Sequence, residues 1–438
     1  MKRACLLEEI RQVAEPIPLE GDALDEFYVP ADPARDPLSP PSSELRAYLY
    51  ETPPPLRLLF ASHPGSGKST ELNRLIRAGQ QDFWFLKFSV HQELDTATLT
   101  PVDLILVMME KLYSVGREEK LIRDQRVIEP VRGWLSQIVR ETRVMRKEEI
   151  ELGAGVGLDG LLAQVVGMLA RLRSAFSLSF ESAETIHQKI MPRIAELRSY
   201  CNQVLDEITT HLERRLVIVV EDTDKLDVPV ANELFVKHTG LLADLQTSII
   251  YTVPLFLIHS PDRKRLESYF ETLTLPMIKT HTPQGERFGM GWQVLHQIVA
   301  RRLDVDKLIE PDALDMAIEK TGGVLRDLLW ALHRASRTAR YAEADRISVE
   351  AMHHSLDQLK QRYVNSIYGK EQVTTEALYG KMKEVAQSHS GNVPMDAPLQ
   401  QLLYSQAVIE YNGRGWYDLH PLVREALSEM GELDGLAC

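Results

Sequence analysis

The 438-residue chain is expected to fold as an α/β protein: a parallel-sheet core, then a helical lid, then a winged-helix domain. Three observations predict this. A short apolar strand, Leu56 to Ala61, runs into a glycine-rich loop and a helix. A second apolar run, Leu216 to Val220, ends in the acidic stretch Glu221-Asp222-Thr223-Asp224, as in a strand buried on both faces. After about Gly289 the strand pattern stops, and helical stretches lead to the hairpin signature Tyr411-Asn412-Gly413-Arg414-Gly415-Trp416.

The elements follow in order. Residues 1–41 read as an irregular arm, its Pro30 to Pro41 part extended. Ser42-Ser43-Glu44-Leu45 starts a helix that Pro53-Pro54-Pro55 ends. Residues 42–287 form the core. Ser69 to Ala78 is helical with Leu72, Leu75 and Ile76 on one side, Phe83 to Val90 is a strand, and Val102 to Tyr113 is an apolar helix. Residues from about 117 to 185 form an insertion, charged at first, Gly-rich at Gly153 to Gly160, and read as flexible with a partner-binding role. A long helix follows Pro192, carrying Leu197, Cys201, Val204, Leu205 and Ile208 at helical spacing. Asn232 to Leu245 is helical, Ser248 to Thr252 a strand, Arg263 to Tyr269 a helix and Thr272 to Lys279 a strand. This alternation predicts a parallel sheet. Residues 288–366 are the helical lid, and 367–438 the winged helix.

Composition narrows the functional classes. The apolar fraction of 44% and charged fraction of 26% are those of a globular protein. A formal net charge of −13 disfavours non-specific adhesion to nucleic acid, although a local basic patch is compatible with it. Cys5, Cys201 and Cys438 are widely spaced with no paired framework, which fits a reduced, cytoplasmic setting. The Leu152 to Ala170 run is interrupted by glycines and Asp159 and is a poor bilayer span.

The chemistry lies in three motifs. Ser62-His63-Pro64-Gly65-Ser66-Gly67-Lys68-Ser69, followed by Thr70, matches the phosphate-loop pattern GxxxxGK[ST] except that Ser62 stands where the first glycine is usual. Backbone N–H groups of such a loop, at a helix N-terminus, converge on phosphates, and Gly65 and Gly67 permit the backbone path. Lys68 is expected to reach the β- and γ-phosphates of ATP, and the Ser69 hydroxyl to coordinate Mg²⁺. At the end of the second strand, Glu221 is assigned to magnesium and Asp222 to activation of the attacking water, two roles that could be exchanged, with Asp224 a third candidate. In Gly322-Gly323-Val324-Leu325-Arg326-Asp327-Leu328 the leucines form a buried stripe, leaving Arg326 on another face to meet the γ-phosphate.

With this order of loop, acidic strand and Gly-Gly-x-x-Arg lid, the chain resembles the AAA+ ATPases and the related STAND switch ATPases. The resemblance implies further roles. Arg326 would be the lid's sensor arginine, and Thr252, in Ile249-Ile250-Tyr251-Thr252, the polar sensor of the neighbouring strand. Arg263 and Arg265 would be candidates for an arginine finger acting in trans in a homo-oligomer. Leu419-His420-Pro421-Leu422-Val423 looks like a Met-His-Asp motif, with Pro421 in place of the acid, which would put His420 near ADP phosphates. By this likeness the chain is a nucleotide-driven switch acting through a partner effector protein, with signalling or defence as the setting.

The alternative is a DNA-associated ATPase resembling origin-recognition initiators, with Arg414 of the wing tip against the duplex. The acidic residues Glu376, Glu384, Glu410, Glu425, Glu429 and Glu432 weigh against that contact. Gly155-Val156-Gly157-Leu158-Asp159-Gly160 satisfies GxGxxG, but charged Glu148-Glu149-Ile150-Glu151 precedes it where a dinucleotide site needs a strand.

Overall fold

The computed structural model describes residues 2–142, 144, 157–178, 180–370, 373–388, 393–413 and 415–433. Arg414, expected at a wing tip, together with Gly153 to Val156 and Cys438, lies outside the described residues.

The core begins with β1 (Arg57–Ser62), whose residues 58–62 are all buried. The loop then enters α1 (Lys68–Gly79). Strand β2 (Phe83–Ser89) follows, and a helical layer separates it from the next strand: α2 (Pro101–Glu118), α3 (Gln125–Glu141), α4 (Leu158–Leu178), α5 (Phe180–Ile190) and α6 (Ile194–His211). The expected flexible insertion is thus, over its described residues, a packed set of helices. Leu162, Val165, Met168, Leu169 and Leu172 of α4 are all buried in the main core with α2 and α3 residues. Helix α2 starts sharply: Thr100 and Asp103 form a capping box around Pro101. The apolar stretch after Gly160 therefore buries its face within the molecule. Of the GxGxxG stretch, Leu158 onward is helix, with no strand in the described residues before it.

Strands β3 (Arg215–Glu221), β4 (Ser248–Pro254) and β5 (Glu271–Leu275) complete a five-stranded sheet in the order β2-β3-β4-β1-β5. All four pairings are parallel. Strand β5 stops at Leu275, short of the expected Lys279, because Pro276 follows and lacks an amide hydrogen for the ladder. The helix expected over Asn232 to Leu245 is interrupted by a π turn at Asn232–Lys237 and restarts at Thr239. Because β4 lies between β1 and β3, the end of β4 separates the glycine loop from the acidic stretch, and all three open on one edge of the sheet.

The lid comprises α7 (Gly289–Arg302), α8 (Pro311–Thr321), α9 (Leu325–Tyr341) and α10 (Val349–Ser366). Helices α11 (Thr375–Gln387) and α12 (Ala397–Ser405), the antiparallel pair β6 (Val408–Glu410) and β7 (Tyr417–Leu419), and α13 (Pro421–Glu429) form the last unit. Two glycines set the junction of core, lid and last unit. A Cβ on Gly323 would sit 1.9 Å from the Ile278 carbonyl oxygen, and one on Gly322 would meet Pro421 and the Tyr411 hydroxyl at 2.7 and 3.0 Å.

The N-terminal segment differs from the expected irregular arm. Leu7–Val13, Asp22–Phe27 and Asp32–Arg35 are short helices. Ala4 exchanges backbone hydrogen bonds with Arg302 and Asp304. The pattern was hidden because each helix is about a turn or two long and buries only a few residues, too few for a periodic signal.

Candidate functional site

A cleft of about 710 Å³ opens where the sheet edge, lid and N-terminal segment meet, a volume within the usual range for a small-molecule site. Gly65, Gly67, Lys68, Ser69 and Thr70 line it from the loop, Glu221, Asp222 and Asp224 from β3 and its following turn, and Arg326 from the lid. Two sequence stretches more than 150 residues apart thus converge as expected. Gly65 and Gly67 have φ of +82° and +101°, conformations that L side chains rarely adopt. The loop is pinned from behind by Arg35, a buried residue with no sequence signal, which donates to the carbonyl oxygens of Ser66 (2.5 Å) and Pro276.

Each carboxylate has its own cation. Lys68 Nζ lies 2.6 Å from Asp224 Oδ2 in a pair that is 5% and 8% exposed. Burial holds the Lys68 ammonium below its ordinary pKa, with Asp224 the largest opposing influence. Glu221 pairs with Lys87 Nζ at 2.5 Å, while its other carboxylate oxygen is buried without a hydrogen-bond partner among the described residues. Asp222, in the left-handed region at φ +68°, pairs with Lys225 at 2.7 Å and accepts from the Ser89 hydroxyl. Burial raises its pKa, but Lys225 and Ser89 together outweigh this and leave it below the ordinary value. Asp224, the third candidate in the sequence, is therefore the acid in direct contact with Lys68. Lys87 was missed, yet it is the one charge in the otherwise apolar or hydroxyl-bearing strand Phe83–Ser89, a signal available in the sequence.

The other expected residues fall into two groups. Arg326 lines the cleft, its backbone N–H 3.3 Å from the Gly65 carbonyl oxygen. Its guanidinium makes no ion pair or side-chain hydrogen bond among the described residues, and a Cβ on Gly65 would come within 2.7 Å of the Arg326 Cβ. Ser66 Oγ is buried without a partner among the described residues. Pro64 turns its carbonyl oxygen to Gln406 of the last unit, whose Nε2 donates at 2.6 Å. Thr70 lines the cleft, and its hydroxyl also accepts from the Leu19 amide at 3.1 Å, anchoring the N-terminal segment.

Thr252, His420, Arg263 and Arg265 are not among the cleft-lining residues. Thr252 is fully buried and donates to Asp224 Oδ1 at 3.1 Å, so it touches the site through Asp224. His420 is fully buried, accepts from the Leu422 amide at the start of α13, stacks on Tyr363, and lies 3.3 Å from Asp327 Oδ2. It joins the last unit to the lid one residue after Arg326. Arg263 pairs with Glu267 at 2.6 Å on an exposed helix, and Arg265 reaches the Lys237 carbonyl at 3.5 Å.

A histidine that the sequence reading passed over links loop and last unit. His63 Nε2 accepts from the Glu410 amide at 2.8 Å. Burial, then the His259 and Lys68 charges, lower its pKa to about 3, so it is neutral, as an acceptor must be.

The remaining lining is mixed, with Glu20, Asn73, Gln92 and Arg302 beside a set of apolar side chains. Pro16, Ile17 and Pro18 face the cleft from the N-terminal segment, and Leu325 and Leu329 from α9. A lining that carries both apolar and charged side chains suits a ligand that joins an aromatic base to a chain of phosphates. Among the described residues no group of three or more His, Cys, Asp or Glu is placed to hold a metal ion. Magnesium at a nucleotide takes one or two protein groups and completes its shell with phosphate oxygens and water. The Ser69 hydroxyl together with the unpartnered oxygen of Glu221 fits that need.

No protein-family model matches this chain, and no curated protein matches it. Among solved structures it aligns with the Aeropyrum pernix ORC2 protein in ADPNP–ADP complexes, over 95% of this chain and 97% of that one, at 13% identity and a TM-score of 0.39. It aligns with the Aeropyrum pernix ORC1 protein in complex with DNA over 98% of both chains, at 14% identity and a TM-score of 0.39. With the Thermotoga maritima RuvB Holliday junction branch migration motor the coverage is 96% and 99%, the identity 13% and the TM-score 0.36. At these values the likeness adds nothing to the geometry above. No helix among the described residues is long and apolar enough to cross a membrane.

Proposed function

We propose that this chain binds ATP with magnesium in the cleft, hydrolyses it, and couples the cycle to movement of the lid and winged helix. The observation that carries this reading is the placement of Lys68 against Asp224 at 2.6 Å, with Arg326 opposite and without an ion pair among the described residues. A triphosphate entering the loop would meet the backbone amides of residues 65–69 and take the Lys68 ammonium from Asp224. Arg326 would pair with the terminal phosphate from the lid. Bound magnesium would offset phosphate charge and polarise the terminal phosphoryl group.

Asp224, released from Lys68 but still held by Thr252, is then a carboxylate placed to orient water, alongside Asp222. Glu221 and Ser69 would hold the metal. A switch needs contacts that differ between states. Arg326 supplies one toward the γ-phosphate, and the His63 and Pro64 bonds to Glu410 and Gln406 carry loop movement to the winged helix. The AAA+ and STAND resemblance implies direct nucleotide contacts for Thr252 and His420; in this reading Thr252 instead positions Asp224, and His420 acts through Asp327. Assembly into a homo-oligomer would let exposed Arg263 or Arg265 act on a neighbouring site.

The test is the double variant Glu221→Gln/Asp222→Asn. Phosphate release is expected to fall by about 10²–10⁴-fold with ATP affinity largely kept. Unchanged turnover would move the chemistry to other residues.

A second reading, an ATPase that works on nucleic acid, has a specific observation in its favour. It lies on the outer half of α9, beyond the turn of that helix that lines the nucleotide cleft.

A further inference from the structure

A second cavity, of about 320 Å³, opens between the N-terminal helical turn and the outer half of α9. Arg11, His333, Arg337 and Arg340 line it, with Glu8 and Ser336 beside them. Three guanidinium groups thus face one carboxylate, in a chain whose net charge is −13. None of the three is held in an ion pair among the described residues, although Glu15 also acts on the neighbouring His333. Among the described residues Arg11 and Arg340 make no ion pair or side-chain hydrogen bond, and Arg337 donates only to the Tyr341 hydroxyl, at 3.1 Å. Glu8 pairs with none of them.

Two further observations point to a ligand. His333 Nε2 is buried and has no hydrogen-bond partner among the described residues. Burial, followed by the charges of Arg337, Arg11 and Arg334 and only partly offset by Glu15, pushes the His333 pKa below its ordinary value, in line with a net positive potential at the ring. An anion placed there would meet guanidinium forks suited to bidentate phosphate contact. Arg340 lies 14 residues beyond Arg326 on the same helix, about 21 Å along its axis at roughly 1.5 Å per residue. One nucleotide at the glycine loop does not span that distance.

We propose that this cavity is a second phosphate-binding site, built from the N-terminal helical turn and α9. Two sources could supply the group: free phosphate, or the backbone of a nucleic acid. The neighbouring surface suits the backbone. Arg334 and Arg362 flank the Trp330 ring at 5.6 and 5.1 Å, and Tyr341, 78% exposed, stands beside Arg337. Arginine alternating with aromatic rings along one helix offers both phosphate contact and a stacking surface. The site stands independently of the ATP reading, and it gives the nucleic-acid reading its contact face.

The experiment uses the full chain carrying Lys68→Ala, which removes the ammonium of the glycine loop. Anisotropy of a labelled oligonucleotide, single-stranded and duplex, is followed across a salt series, and inorganic phosphate is titrated by calorimetry. Adding Arg337→Ala/Arg340→Ala is expected to weaken the bound probe at least about tenfold and to lower the salt slope for an oligonucleotide by about two. Arg11→Ala, on a different element, is expected to weaken it in the same direction, which guards against a folding defect in α9. Saturable phosphate binding lost in these variants, with no oligonucleotide binding, identifies free phosphate as the source. No binding of any probe, or binding undiminished in both sets of variants, overturns the site. ATP affinity measured with Lys68 intact is expected to be unchanged by Arg337→Ala/Arg340→Ala, so the outcome here is separate from that of the nucleotide cleft.

Discussion

The two walls that hold the glycine loop are built on different principles. On the sheet side, every acid is matched to a cation: Asp224 to Lys68, Glu221 to Lys87, Asp222 to Lys225. On the side of the lid and last unit, the contacts are neutral and close: Gly65 against Arg326, Pro64 to Gln406, His63 to Glu410. The sheet wall can exchange partners without moving, because a phosphate can replace a carboxylate at an ammonium. The opposite wall holds the loop by shape and by neutral hydrogen bonds, so a change in loop conformation must be passed on or absorbed. In the proposed cycle recognition is concentrated on the sheet side, with Arg326 the contribution of the lid, and transmission falls on the other.

The largest expected effect breaks the recognition wall. Lys68→Ala removes a charged contact to phosphate, worth about 1.5–3 kcal/mol net. ATP affinity by calorimetry should fall roughly 10–100-fold, and undiminished affinity would refute the exchange of partners at Lys68. Gly65→Ala tests the transmission wall. Its Cβ would lie 2.7 Å from the Arg326 Cβ, at a φ of +82°, so the lid has to stand off from the loop. ATP affinity should drop about tenfold, and protease protection of the lid by ATP should be reduced; full protection would show that lid and loop are not in register.

The smallest effect concerns His63. Its pKa is about 3 in the folded chain against an ordinary 6.5, so the unfolded chain takes up the proton first as pH falls. The stability associated with neutral His63 is complete above about 6.5 and is lost progressively as pH drops toward 3. His63→Gln should flatten this part of the stability–pH curve in denaturant melts. A curve that keeps the same slope would assign the acid sensitivity to other groups.

Much of the sheet and of the loop was legible because their signals are local. An apolar strand, two glycines, a lysine and a helix start fall within a dozen residues, and the acidic end of β3 directly follows its apolar run. Which acid faces Lys68 was not legible. Glu221, Asp222 and Asp224 are near neighbours in the chain, and only the left-handed turn at Asp222 and the bond from Thr252 bring Asp224 to the ammonium. Arg35 was invisible for a related reason: its partners, Ser66 and Pro276, are set by the closing of the whole core. His420 looked like a nucleotide contact, but the packing of α13 on the lid turns it toward Asp327 and Tyr363. Of the helices between β2 and β3, α2 and α6 were legible from their apolar spacing, whereas α3 to α5 were obscured by charge at the start of that stretch and glycine in its middle.

Gly322 and Gly323 leave no clearance where three bodies touch, since any side chain there would collide with Ile278 or Pro421. A hinge with such a tight fit cannot take up slack. In the proposed cycle, rotation of the lid about this point would have to be shared at once by the segment leaving the sheet and by the first turn of α13, so that the joint would act as a gear rather than a loose tether.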